Sequence, residues 1–140
     1  GTITKLPVKQ HKTKTTNRYF NYIYVRVGAC TYLHKRTEDD IWKNLFEFPL
    51  IETEAPVTEE EFRELPQVRA FFADGEVSGL RLISENVKHV LSHRVIYTNF
   101  YEVVLPENST SFSAFLRVKI EDLEQYAVSR LVHAFLEKYL

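Results

Sequence analysis

Few residues in this 140-residue chain have a type and spacing that could carry chemistry. Cys30 is the single cysteine, so it can form no internal disulfide and cannot by itself hold a metal. Its surroundings read as a buried strand, where a thiol is usually inert. His89 and His93 are four apart, a spacing that would put both on one face of a helix. The segment around them reads as strand and turn instead. Neither HExxH nor paired CxxC occurs, so a zinc site finds no support. The four glycines form neither a P-loop nor GxGxxG. The single cysteine fits a reducing compartment.

The carboxylates allow one further test. Nudix hydrolases use the box Gly-x5-Glu-x7-Arg-Glu-U-x-Glu-Glu-x-Gly-U, where U is a bulky aliphatic residue. Its carboxylates bind the divalent ions that activate water on a diphosphate. Arg63-Glu64-Leu65 is the only Arg-Glu-U in the chain. Anchoring the box there puts Pro49 at the first glycine, Ala55 at the first glutamate, and Gln67 and Val68 at the paired glutamates. The metal ligands are missing, so hydrolase chemistry fails even if the fold is shared.

Some framework must still position these residues. Apolar residues make up 44 % of the chain and aromatics 14 %, enough for one core and against disorder. No apolar run is long enough to span a membrane, and no signal-peptide pattern opens the chain. The chain starts at Gly1 and has no methionine, which suggests a piece of a longer protein. The net charge of -1 hides an asymmetry: residues 1–37 hold eight Lys or Arg and no Asp or Glu. A basic leading segment on an acidic body suggests an anionic partner, or simply a solvated arm.

Residues 1–16 read as a linker or basic arm. The segment 18–27 has strand composition, with Phe20, Tyr22 and Tyr24 on one face and Ile23, Val25 and Val27 on the other, so both faces are buried. Gly28-Ala29 turns it into a second strand over 30–34. Residues 41–52 read as a strand that ends or bends at Pro49. Thr58 and Glu61 form a capping box for a short helix reaching about Leu65, and Pro66 starts a further helical turn. Residues 87–105 read as two strands with a tight turn near 92–94. A short strand over 117–120 and a helix start over 121–126 follow. Val128, Leu131, Val132, Phe135, Leu136 and Tyr139 mark an amphipathic helix. The order implies a mixed sheet with helices on its faces.

Several segments, taken together, resemble the C-terminal domain of MutY adenine DNA glycosylases across nearly the whole chain. Leu6-Pro7-Val8-Lys9 resembles the linker into that domain, and residues 36–49 resemble its pattern R…W-x-G-L-W-E-F-P. His89-Val90-Leu91-Ser92-His93 resembles its H-x-F-[ST]-H motif, and residues 121–140 resemble its closing helix. Leu91 stands where Phe is usual and Asn44 where Gly is usual. Leucine keeps an apolar wedge without aromatic stacking. Asparagine tolerates a left-handed backbone, so a turn at 44 survives.

The resemblance implies an α+β, Nudix-like mixed sheet sandwiched by helices, residues 17–140, without the Nudix box. It implies a module that does no chemistry and has no cofactor. The module would help to recognise 8-oxoguanine opposite adenine in duplex DNA while an N-terminal catalytic domain of the same protein, with its iron–sulfur cluster, removes the adenine. A monomer is expected, in the bacterial cytoplasm as the compact linker suggests and associated with the nucleoid, with no membrane contact. Leu91, Ser92 and His93 carry over as the lesion-recognition residues. In 8-oxoguanine N7 becomes a donor beside a new carbonyl oxygen; a serine hydroxyl accepts from that donor and its amide can donate to the oxygen. Guanine leaves one such group unmatched, at about 1–3 kcal/mol. Lys9, Lys12, Lys14 and Arg18 are candidates to neutralise phosphate, with Lys35 and Arg36 weaker ones. His89, Trp42 and Glu47 would support the motif, Glu47 through loop amides.

Simpler assignments stand beside these. Ser92 and His93 also read as a polar hairpin turn, His89 as a packing residue, and Trp42, Phe46 and Phe48 as core. Two other functions remain open at this point: a Nudix-type hydrolase of damaged nucleotides, and a protein-docking domain.

Overall fold

The computed structural model describes residues 16–73 and 75–140. Lys9, Lys12 and Lys14 lie outside the described residues, as does the arm apart from its last residue. Thr16 is already the first residue of a strand. Seven strands form one sheet: β1 (Thr16–Val27), β2 (Cys30–Lys35), β3 (Phe46–Glu47), β4 (Leu50–Thr53), β5 (Arg81–Leu91), β6 (Arg94–Leu105) and β7 (Leu116–Lys119). The order is β3-β2-β1-β6-β5, with β4 also pairing to β1 and β7 to β2. β1 and β6 run parallel from Thr16 opposite Arg94 to Val27 opposite Leu105; the other pairs are antiparallel. Helices α1 (Glu59–Glu64) and α2 (Pro66–Arg69) and the long C-terminal α3 (Arg130–Tyr139) complete the fold, with 3₁₀ turns at Glu76–Gly79 and Ile120–Gln125.

The alternation within β1 sets the layers. Phe20, Tyr22 and Tyr24 enter a core with Ile96, Phe100, Leu131 and Phe135 under α3. Ile23, Val25 and Val27 enter a second core with Phe62, Val68, Tyr101 and Val103 under α1 and α2. The two cores are sealed by aromatic stacks, Phe100 on Phe135 at 4.2 Å and Phe62 on Tyr101 at 4.1 Å between ring centroids. A central strand apolar on both faces is what a sheet covered on both sides requires. The expected mixed sheet flanked by helices is therefore what forms.

Local chemistry sets the boundaries. The Thr58 hydroxyl accepts from the Glu61 amide, and the Glu61 carboxylate accepts from the Thr58 amide, completing the capping box. Gly28 takes the left-handed φ of +58° at the β1–β2 turn. Ser129 caps α3 by accepting from the Val132 amide.

Three sequence expectations change. Residues 41–52 are not one strand: a loop runs to Leu45, and β3 and β4 flank Pro49. Val128 does not belong to the last helix but bridges to Phe46 in a parallel pair, and α3 begins only after the Ser129 cap. β5 starts at Arg81, six residues before the expected Val87, because irregular pairing between Leu82 and Val87 hides the period-two alternation.

Candidate functional site

The hairpin between β5 and β6 turns in two residues. Leu91 pairs with Arg94, leaving Ser92 and His93 as the exposed tip. Leu91 is half-buried against the α3-side core, so it is the footing of the tip and not a free wedge. The Thr16 amide donates to the His93 carbonyl at 3.0 Å, so the first residue of β1 closes on the tip from the other side. Arg94 is exposed beside it. The tip thus presents a serine hydroxyl and an imidazole to solvent on a mount held from two strands.

His89 stands two residues back from Leu91 on the same strand face. The Trp42 ring meets it edge-on, with centroids 5.7 Å apart, and meets Phe20 in the same way at 6.0 Å. Trp42 reaches this position from a loop closed by backbone bonds between Arg36 and Asn44 and between Arg36 and Leu45. Asn44 has φ +74°, the left-handed turn expected of it, and Trp42 itself has φ +58°. Left-handed backbone in a bulky aromatic is an outlier that the surroundings must hold in place.

A chain of charges holds that loop. Glu47, 2 % exposed, accepts from the Tyr22 hydroxyl at 2.7 Å and from Arg36 at 3.2 Å through both oxygens, and lies 2.9 Å from His34 Nε2. Arg36 also donates to Asp40 and to the Ile41 carbonyl. Asp40 accepts two bonds from Arg18, at 2.9 and 2.8 Å, and one from the Ile41 amide at 2.7 Å. Arg18 also donates to Glu52, through Nε at 2.8 Å and Nη2 at 2.7 Å. Both guanidinium groups lie over the Phe20 ring, at 5.1 and 5.7 Å. The Arg18 bonds, the Ile41 amide and both positive charges hold the Asp40 carboxyl well below its ordinary range. The Glu52 and Asp40 bonds hold the Arg18 guanidinium charged. Burial, followed by the neighbouring Glu47 charge, pushes the Tyr22 hydroxyl well up.

Two expected roles change accordingly. Arg18 is bound by two carboxylates and does not stand free for phosphate, and Arg36 is likewise engaged. Glu47 supports the loop through Arg36, Tyr22 and His34, not through loop amides. Lys35 is exposed near the Phe46 ring. The structure brings His89 and Trp42 together and links Glu47 to them through Arg36. The sequence gives no sign of the roles of Asp40 and His34 and marks Tyr22 only as a core residue; the four-residue spacing of Arg36 and Asp40 is the one hint of these contacts.

A family model described as NUDIX domain matches residues 21–138. The chain belongs to the NUDIX domain family. Comparison with curated protein sequences gave no match. Among solved structures, this NUDIX domain is similar to the C-terminal domain of mouse MUTYH from its complex with human PCNA, at 17 % identity and TM-score 0.69, covering 87 % of this chain and 86 % of that one. It is similar to MutT from Methanosarcina mazei Go1, at 13 % identity and TM-score 0.60, covering 89 % and 93 %. It is also similar to the E. coli ORF135 protein, at 15 % identity and TM-score 0.55, covering 88 % and 91 %. At these identities the likeness shows the fold.

In this NUDIX domain the positions that anchor to the box hold no ligand set. Val68 is fully buried in the core, Gln67 and Ala55 are exposed, and Pro49 is buried. Two of the four carboxylates of α1 are otherwise engaged: Glu59 accepts from the Leu82 amide at 2.6 Å and pairs with Arg63, and Glu61 caps its own helix, while Glu64 is exposed and pairs with Arg69. Among the described residues, no group of three or more His, Cys, Asp or Glu is placed to hold a metal ion. Among them, too, no helix is long and apolar enough to cross a membrane.

Proposed function

We propose that this chain is a recognition module for damaged DNA, reading 8-oxoguanine opposite adenine while a catalytic domain of the same protein removes the adenine. The observation that carries the reading is the tip itself: Ser92 and His93 are exposed on a two-residue turn whose footing, Leu91, packs into the core and whose His93 carbonyl is pinned by Thr16. A rigid mount with an exposed hydroxyl suits recognition by one hydrogen-bond pattern, since little order has to be gained on binding. In this reading Ser92 accepts from the N7–H that only the lesion has, and His93 and Arg94, exposed beside it, are the groups on the tip that could meet phosphate. The basic residues Lys9, Lys12 and Lys14 precede a strand whose first residue bonds to the tip, which supports a backbone-neutralising role for them. The similarity to the MUTYH C-terminal domain agrees with this reading.

The test is an NMR titration with two short duplexes, one with 8-oxoguanine opposite adenine and one with guanine there. Lesion-selective shifts at Leu91, Ser92 and His93, erased by Ser92→Ala, are the expected result. Equal responses to both duplexes would remove the lesion reading. Family membership keeps a hydrolase in view; magnesium-dependent turnover of a damaged nucleoside triphosphate by the chain would replace the proposal with that reading.

A further inference from the structure

The ionic chain beneath Trp42 has a use beyond holding the fold together. We propose that Asp40 is a positioning residue for the hairpin tip, fixing the turn that carries Trp42 so that Trp42 holds His89 and, through it, the Leu91–Ser92–His93 loop. The functional arm of this proposal rests on the reading of that loop as the lesion contact; its structural arm does not.

Four observations carry it. Trp42 sits at φ +58°, a conformation that a bulky side chain leaves unless it is held. The residues just before it are held by Asp40, which bonds Arg18 twice, Arg36 once and the Ile41 amide once. Arg36 adds a bond to the Ile41 carbonyl, so the amide and the carbonyl of Ile41 are both tied to the same cluster. The Trp42 ring then meets His89, only two residues before Leu91, and the turn beyond Leu91 is only two residues long. A displacement of Trp42 has no flexible segment in which to dissipate before it reaches the tip.

Arg18 gives this inference its second support. It lies on β1, two residues from Thr16, whose amide bonds His93. Asp40 therefore connects the Trp42 loop to the strand that closes the tip from the opposite side. Two routes, one through Trp42 and His89 and one through Arg18 and Thr16, converge on the same two exposed residues.

The experiment uses the fact that Trp42 is the only tryptophan. Asp40→Asn keeps the shape and an acceptor for the Ile41 amide but removes the charge that both arginines face. Trp42 emission should move to longer wavelength. The amide resonances of His89, Leu91, Ser92 and His93 should shift while those of α1 and α2 stay in place, and the lesion-over-guanine preference should fall several-fold. Ser92→Ala should lose the preference with Trp42 emission unchanged. A folded Asp40→Asn chain with the tip resonances at their wild-type positions overturns the inference. If that variant does not fold, Trp42→Leu leaves the ionic chain intact and removes the ring: shifts at Leu91 to His93 support the positioning role, and their absence overturns it. If the wild-type chain shows no lesion preference, the functional reading falls alone, because the DNA-free shifts still decide whether Asp40 positions the tip.

Discussion

The two faces of the sheet use their carboxylates differently. Under α1, Glu61 and Glu59 serve the nearest backbone, one capping its own helix and the other accepting from the first residues of β5. Each acts within one local joint. Around the Trp42 loop, Glu47, Asp40 and Glu52 are bridged by two arginines into a chain that spans β1, the loop, β3 and β4, with Arg18 two residues from the Thr16 that bonds the exposed turn. The face under α1 and α2 is where the box anchors in the sequence, and here it is packed with Val68 and Phe62. What differs is reach: local carboxylates stabilise an element, and a bridged set fixes the relative position of several.

The comparison breaks most visibly in stability. Phe62→Ala should lose roughly 3–5 kcal/mol, because the ring is fully buried on Tyr101. Glu47→Ala should lose a similar roughly 3–5 kcal/mol, because it strands Arg36 beside a buried hole. Equilibrium denaturation would measure both. If Glu47→Ala falls below about 1 kcal/mol, the scale of an exposed pair, the ionic chain does not hold the loop. The caps should separate next. Ser129→Ala, at a buried cap, should cost roughly 1–2 kcal/mol, and Thr58→Ala, at an exposed one, roughly 0.5–1 kcal/mol.

Acid should sharpen the contrast further. The Asp40 carboxyl is lowered by Arg18 and Arg36, so its contribution is fully present above its ordinary value of 3.8 and is lost as the pH falls below that through its folded value. Glu59, lowered by the Leu82 amide, behaves the same way on the other face. Asp40→Asn should flatten the acid limb of Trp42 emission, whereas Glu59→Gln should leave that limb unchanged and flatten only global stability. On the alkaline side, burial pushes Tyr101 up to about 12 from 10.0, so its contribution is present below 10.0 and lost as the pH rises through about 12. The smallest effect belongs to the tip: Ser92→Ala should change stability by less than about 0.5 kcal/mol and still remove lesion preference.

What the sequence disclosed follows the range of the contacts involved. The alternation of Phe20, Tyr22 and Tyr24 against Ile23, Val25 and Val27 announced two cores because a strand's own period sorts them. The Thr58–Glu61 box and the left-handed Asn44 were legible because both depend on neighbours within a turn. Arg18 reads as a phosphate contact in the sequence because its partners lie 22 and 34 residues away. Trp42's backbone was hidden for the same reason: no local preference sends tryptophan to positive φ, and the contacts that accompany it, the rings of Phe20 and His89 and the Asp40 and Arg36 bonds at Ile41, are set by the fold. The two-residue tip was visible as a turn, but its footing in the core and its bond to Thr16 were not.

The bond between Thr16 and His93 has a mechanical consequence. β1 and β6 begin together at the tip and run parallel for twelve residues, so a pull on Thr16 directed away from the sheet along the strands would load every rung of that ladder in shear. The same pull directed sideways would open the rungs singly, starting with the one that fixes His93. The direction in which the preceding chain leaves Thr16 therefore decides whether tension stiffens the exposed turn or releases it.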